Sequence, residues 1–256
     1  MSKRKRFIIT STLLAFGFIS IQLLDNQFRF WSIGILTLLT PILFFWSLSE
    51  GLAKDMTLLT LLLPTFFTAG VGIFWFLLPS SILARVPVTV MYGLGIYALC
   101  LTMNIYSVAA IRTIALLRAA KGVGFVLTLL TLFLIYDAIL SLKISFWANS
   151  LLSLVLSFPL FFQGYWSVTL DKKFSKDLVL ISAISSLAIA EVALSLFFWP
   201  VTVVGGSLFL TIAVYIILGL GQAKLEQRLF AQTVREYLLI GALVFIGMFI
   251  ATHWGG

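Results

Sequence analysis

Long apolar runs separated by short polar breaks fill the chain from end to end. Nine such runs can be drawn, at 7–24, 30–48, 56–78, 88–110, 122–142, 144–170, 178–198, 201–222 and 237–253. Each is about as long as a helix needs to cross a hydrocarbon layer at roughly 1.5 Å per residue. Helices are the expected form, because an open strand edge in lipid leaves backbone groups without partners. The breaks are short, and none is large enough to fold as a separate water-soluble domain. The pattern predicts one all-α integral membrane domain over 1–256, a polytopic bundle of about nine spans. The tightest predicted turns are at 142–144 and 198–201.

Composition agrees with lipid as the main solvent. Of 256 residues 61% are hydrophobic and only 10% are charged, and the mean hydropathy is +1.14. A soluble domain of this length carries far more charge on its surface. The first run follows Met-Ser-Lys-Arg-Lys-Arg, which resembles the start of a secretory signal. No small-x-small cleavage pattern follows it, so it is expected to stay as the first span.

The formal charge of +8 falls in the breaks and not on a face suited to nucleic acid, so no nucleic-acid partner is expected. With the N-terminus in the cytoplasm, the inner breaks hold Lys3, Arg4, Lys5 and Arg6; Lys54; Arg112, Arg118 and Lys121; Lys172, Lys173 and Lys176; and Lys224, Arg228 and Arg235. Only Arg29, Arg85 and Lys143 of the 17 Lys and Arg then lie outside. That asymmetry follows the positive-inside rule and predicts a C-terminus on the outer side. All seven tryptophans, Trp31, Trp46, Trp75, Trp147, Trp166, Trp199 and Trp254, fall near predicted span ends, where an amphipathic indole prefers the headgroup level.

Two inner breaks carry an amphipathic pattern. In 223–236, Leu225, Leu229, Phe230 and Val234 approximate one apolar face. Around 111–118, Ile111, Ile114 and Leu117 alternate with Arg112 and Arg118. Both are expected to lie as helices on the inner leaflet. Arg112, Arg118, Lys121, Arg228 and Arg235 are the candidate contacts for anionic lipid headgroups or for a membrane or cytoplasmic protein partner.

Candidate chemistry is sparse. Asp137 and Glu191 are the acidic residues placed clearly inside spans, at depths of roughly 8 and 11 Å from the outer boundary. They would form one outer-half cluster if their helices are neighbours, and intramembrane acids mark ion or proton pathways by default. Ser141 and Ser195 lie one turn beyond them, so packing acids are the competing reading. The Ser- and Ala-rich run around Glu191 suggests a central helix. Asn104 and Gln163 form an inner-half polar pair suited to interhelical hydrogen bonds. Pro41, Pro64 and Pro159 fall inside spans, where each removes a backbone bond.

Other chemistries lack support. One histidine, His253, and one cysteine, Cys100, offer no metal-ligand cluster and no intrachain disulfide. No Walker or GxGxxG loop suggests a nucleotide, no other cofactor is indicated, and no GxSxG appears with Asp and His. Asp25 stands in the first outer break without the second acid that enzymes acting on lipid-linked sugars carry there. The segment NIYSVAAIRTIALLRAAKGVGF, 104–125, resembles uncharacterised multi-pass membrane proteins of candidate-phylum bacteria. That resemblance implies a bacterial origin, hence the cytoplasmic membrane, and no assigned activity. The expected function is a non-enzymatic scaffold or partner subunit. The alternative is a small-solute or proton-coupled transporter using Glu191 and Asp137, followed by an enzyme acting on lipid-linked substrates.

Overall fold

The apolar runs become helices. The computed structural model describes residues 2–24, 26–49, 57–77, 82–109, 115–170 and 175–252. Among these are nine helices and no strands: α1 Lys3–Gln22, α2 Asn26–Leu48, α3 Thr57–Leu77, α4 Ile82–Ala109, α5 Leu117–Ser141, α6 Phe146–Thr169, α7 Lys176–Phe197, α8 Val203–Leu225 and α9 Ala231–Ala251. Eight, α2 to α9, are long and apolar enough to cross a membrane. The ninth, α1, has 20 residues and begins Lys3-Arg4-Lys5-Arg6, which lowers its mean apolarity. The helix ends match the apolar runs to within a turn or two. The largest differences lengthen helices into polar sequence: α4 starts before Pro87, and α9 includes Arg235 and Glu236.

The chain forms two compact units, Met1–Thr131 and Leu132–Gly256. In the first, α1 packs on α2 and α4, α2 on α3, and α3 on α4. Its core is aromatic. Tyr92 of α4 is stacked on Phe67 of α3 at 6.0 Å between ring centres and lies 5.0 Å from Phe18 of α1. Gly95 makes that approach possible: a Cβ there would lie 2.5 Å from the Phe67 ring. Backbones come this close only where a small residue stands at the contact.

Polar side chains in the first unit are tied across helices. The Thr40 hydroxyl of α2, its one proton divided between the Leu36 carbonyl at 2.9 Å and Thr68, lies 3.1 Å from the Thr68 hydroxyl of α3, and the Thr68 and Tyr92 hydroxyls are also 3.1 Å apart. Gln22, at the end of α1, donates to Thr89 of α4 at 3.0 Å. In lipid the alternative to such a bond is an unsatisfied group in hydrocarbon, and each bond contributes about 0.6 kcal/mol, at most about 1.7.

In the second unit α6, α7 and α8 contact one another, with α6 and α7 the most extensive pair, and α9 packs on α8. Ser182, Ser185, Ser186, Ala190 and Ala193 lie buried on one side of α7. The Ser- and Ala-rich sequence is therefore a packing face. Ser175 caps α7 by accepting from the Leu178 N–H, and Thr202 caps α8 by accepting from the Gly205 N–H, both at 3.1 Å. Short polar caps satisfy amides that a helix start leaves open.

The inner-leaflet helix expected at 223–236 does not form. Instead α8 runs to Leu225 and α9 starts at Ala231, leaving a break of five residues in which Gln227 adopts a left-handed φ of 56°. Helix backbone satisfies its own polar groups, so extending both spans to the headgroups costs less than opening a longer loop there. In the other expected inner helix, Ile111 to Ile114 lie outside the described residues, and α5 begins at Leu117.

Candidate functional site

The polar interior of the second unit is a seam built on three helices. On α6, Asn149, Ser153 and Ser157 recur every four residues and are all buried, so they stack along one face. On α5, Tyr136 and Asp137 are both buried. The Tyr136 and Ser157 hydroxyls are 2.7 Å apart. Ser157 already donates its single proton to the Ser153 carbonyl, so Tyr136 is the donor to Ser157. Asp137, 6% exposed, meets the Ser207 hydroxyl of α8 at 3.4 Å. Ser207 also lies 3.0 Å from the Val204 carbonyl, so its one proton is divided between two acceptors and the link to Asp137 is long.

Three further contacts fasten the unit. Ser150 of α6 donates to the Ala190 carbonyl of α7 at 2.8 Å. Tyr165 of α6 and Ser185 of α7 are 2.8 Å apart, and Gln222 of α8 donates to the Gly164 carbonyl at 2.9 Å. Three buried polar atoms on α6 have no hydrogen-bond partner: Asn149 Oδ1, Ser153 Oγ and Gln163 Oε1. Buried polar atoms without a partner cost free energy and call for a ligand or water.

Asp137 and Glu191 are not joined as the sequence suggested. Asp137 is buried and its partner is Ser207. Glu191 is exposed on α7, and among the described residues its carboxylate has no hydrogen-bond or ion-pair partner. The physical reason is helical phase. The buried face of α7 passes through Ile189, Ala190 and Ala193, and one residue further on turns Glu191 about 100° away from Ala190. Asn104 is half-buried on α4 in the first unit, whereas Gln163 is buried on α6 in the second.

Of the basic candidates, Arg118 is exposed and Lys121 half-buried at the start of α5. Arg228 is exposed in the α8–α9 break, 3.8 Å from Glu226, and Arg235 is exposed in the second turn of α9. Arg112, Asp25 and His253 lie outside the described residues. Among the described residues no three or more His, Cys, Asp or Glu side chains gather where they could hold a metal ion.

Missed by sequence reasoning were the Asn149–Ser153–Ser157 ladder and its partner Tyr136. The spacing of four was visible, but serine is common along membrane helices, and nothing local marks this row among the others. Ser207, 70 residues beyond Asp137, carries no local signal at all.

Fold and interior together define a multi-pass helical membrane protein with a buried polar seam in its second unit. The chain belongs to a family described as "Protein of unknown function (DUF5656)", whose model matches residues 8–251. No curated protein and no solved structure matches it. Membership over nearly the whole chain agrees with the resemblance to an uncharacterised family and assigns no activity.

Proposed function

We propose that the chain is a non-enzymatic component of a membrane protein assembly, docked to a partner through α7. The observation that carries this reading is a stripe of exposed residues on that helix. Leu180, Ile184 and Leu187 are 59%, 58% and 50% exposed, and Glu191 continues the row. Steps of four, three and four residues make one seam of the kind helices use to pack on each other.

Glu191 gives the seam its polar point. It lies six residues before the end of α7, about 9 Å into the span. An acid at such depth facing lipid is costly, and intramembrane acids face a bundle interior or a cation. A partner helix bringing an Arg, Lys or hydroxyl to this point satisfies it, and one polar residue in an apolar seam fixes register.

The basic breaks support an orientation with the N-terminus and the α1 basic cluster inside, α1 as the first of nine spans, and the C-terminus outside, and the resemblance to bacterial multi-pass proteins supports the bacterial cytoplasmic membrane as the location. Arg112, Arg118, Lys121, Arg228 and Arg235 then face the inner leaflet, where anionic headgroups attract them. The test is extraction of the native membrane in mild detergent with tagged wild type and Glu191→Leu. Wild type should retain a membrane protein that the variant loses, while both elute as folded monodisperse chains. Identical co-purifying proteins in the two samples sink this reading.

Buried Asp137 supports a second reading, transport of a small solute or a proton. It requires wild-type chain in liposomes to carry a pH-dependent flux that Asp137→Asn abolishes. No flux across a broad solute panel removes it.

A further inference from the structure

The turns joining α5 to α6 and α7 to α8 border a cleft of about 290 Å³. Its lining includes Lys143, Ile144 and Asn149 from the first turn and the start of α6, and Trp199, Thr202 and Val203 from the second turn and the start of α8. Both turns lie at span ends, so the cleft opens where headgroups meet the hydrocarbon. It is separate from the α7 stripe and stands whether or not a partner docks there.

Three observations define what would fill it. The first is Asn149, 5% exposed, whose Oδ1 has no hydrogen-bond partner. The torsion that orients a terminal amide has a broad well, so a small turn presents that oxygen to the cleft. An amide oxygen accepts only, so the ligand must bring an O–H or N–H.

The second is the start of α8. Thr202 accepts from the Gly205 N–H through Oγ1, which leaves its own hydroxyl proton free to donate. The Val203 and Val204 amides are among those a helix start leaves without an intrahelical acceptor. Over the 23 residues of α8 the aligned peptides place partial positive charge at this end, which favours an anion. The third is Lys143, an exposed ammonium at the lip, held in the turn by a left-handed φ of 49°. The rest of the lining, Ile144, Val203 and the Trp199 ring among it, is apolar and suits an alkyl chain.

We infer that this cleft binds a phosphate ester bearing a free hydroxyl. The phosphate lies against Lys143 and the first amides of α8, and the hydroxyl donates to Asn149 Oδ1. An ammonium headgroup is disfavoured beside Lys143, so a phosphoglycerol group fits better than a phosphocholine. Two sources share that chemistry: the headgroup of phosphatidylglycerol in the membrane, and free glycerol phosphate.

The test is native mass spectrometry of the purified full chain in mild detergent. It is incubated separately with phosphatidylglycerol, phosphatidylmethanol, phosphatidylcholine and sn-glycerol 3-phosphate. Phosphatidylmethanol has the charge of phosphatidylglycerol without its hydroxyls, so it isolates the bond to Asn149. Wild type should retain phosphatidylglycerol about fivefold better than phosphatidylmethanol, the ratio one hydrogen bond supplies, and phosphatidylcholine least. Asn149→Leu should erase the difference between the two anionic lipids, and Lys143→Gln should weaken both. Retention of phosphatidylglycerol but not of glycerol phosphate assigns the lipid as source; comparable retention of glycerol phosphate assigns the soluble ester. Equal retention of phosphatidylglycerol and phosphatidylmethanol by wild type overturns the proposal without any variant. An unchanged preference in folded Asn149→Leu, or unchanged anionic binding in Lys143→Gln, overturns it too.

Discussion

Tyr136 and Ser157 are both fully buried, and their 2.7 Å contact is directional. Ser157 spends its proton on the Ser153 carbonyl, so Tyr136 donates and Ser157 accepts. The two truncations are therefore unequal. Tyr136→Phe removes a donor and leaves Ser157 still bonded to Ser153, so it should cost about 0.6 kcal/mol, the mean for a hydrogen bond between membrane helices. Ser157→Ala leaves the Tyr136 hydroxyl buried without an acceptor, which costs about 1–3 kcal/mol. The double variant removes the orphan with the bond, so it should be more stable than Ser157→Ala alone, with a coupling of about 1 kcal/mol. Reversible unfolding in mixed micelles, with SDS as denaturant, measures all four proteins. Tyr136→Phe costing as much as Ser157→Ala, or the two costs simply adding, would refute the assignment of donor and acceptor.

Other perturbations follow from single contacts. Gly95→Ala puts a Cβ 2.5 Å from the Phe67 ring, so the same unfolding assay should show a loss of about 1–3 kcal/mol from overpacking. Gln227→Gly releases a left-handed residue in the α8–α9 break and should raise stability by about 0.5–1 kcal/mol, since glycine adopts that conformation freely. Trp199→Phe removes the 3.0 Å bond from the indole N–H to Thr252 while keeping an aromatic ring near Phe245 and Phe249. Amide exchange should then speed up over 245–252 and stay unchanged in α6 and α7.

Helix positions were legible because length and apolarity suffice to mark a membrane helix, and every apolar run became one. The basic breaks were harder to read. The pattern in 223–236 is amphipathic, yet Leu225 belongs to the end of α8 and Val234 to the start of α9. Amphipathic spacing does not reveal where one helix stops and the next begins.

Asp137 and Glu191 show the limit for chemistry. Both are acids in apolar helices, and composition ranked Glu191 as the more central because of the small residues around it. Those residues do pack, but on Ala190's side of α7, and Glu191 is turned away. The phase was present in the sequence, since Glu191 shares spacing with Leu180, Ile184 and Leu187 and not with Ser182 and Ser186. What no local pattern carries is which distant side chain completes a contact, as Ser207 does for Asp137.

Whether α7 faces a protein or lipid along that row decides the docking. A photo-crosslinking amino acid at Leu187, one turn from Glu191, tests it in intact membranes of cells expressing the full chain. Irradiation should give one discrete protein adduct, which disappears when Glu191→Leu is added and persists in a control with Asp137→Asn. Adducts to lipid alone, or a protein adduct indifferent to Glu191, would contradict the proposed docking face.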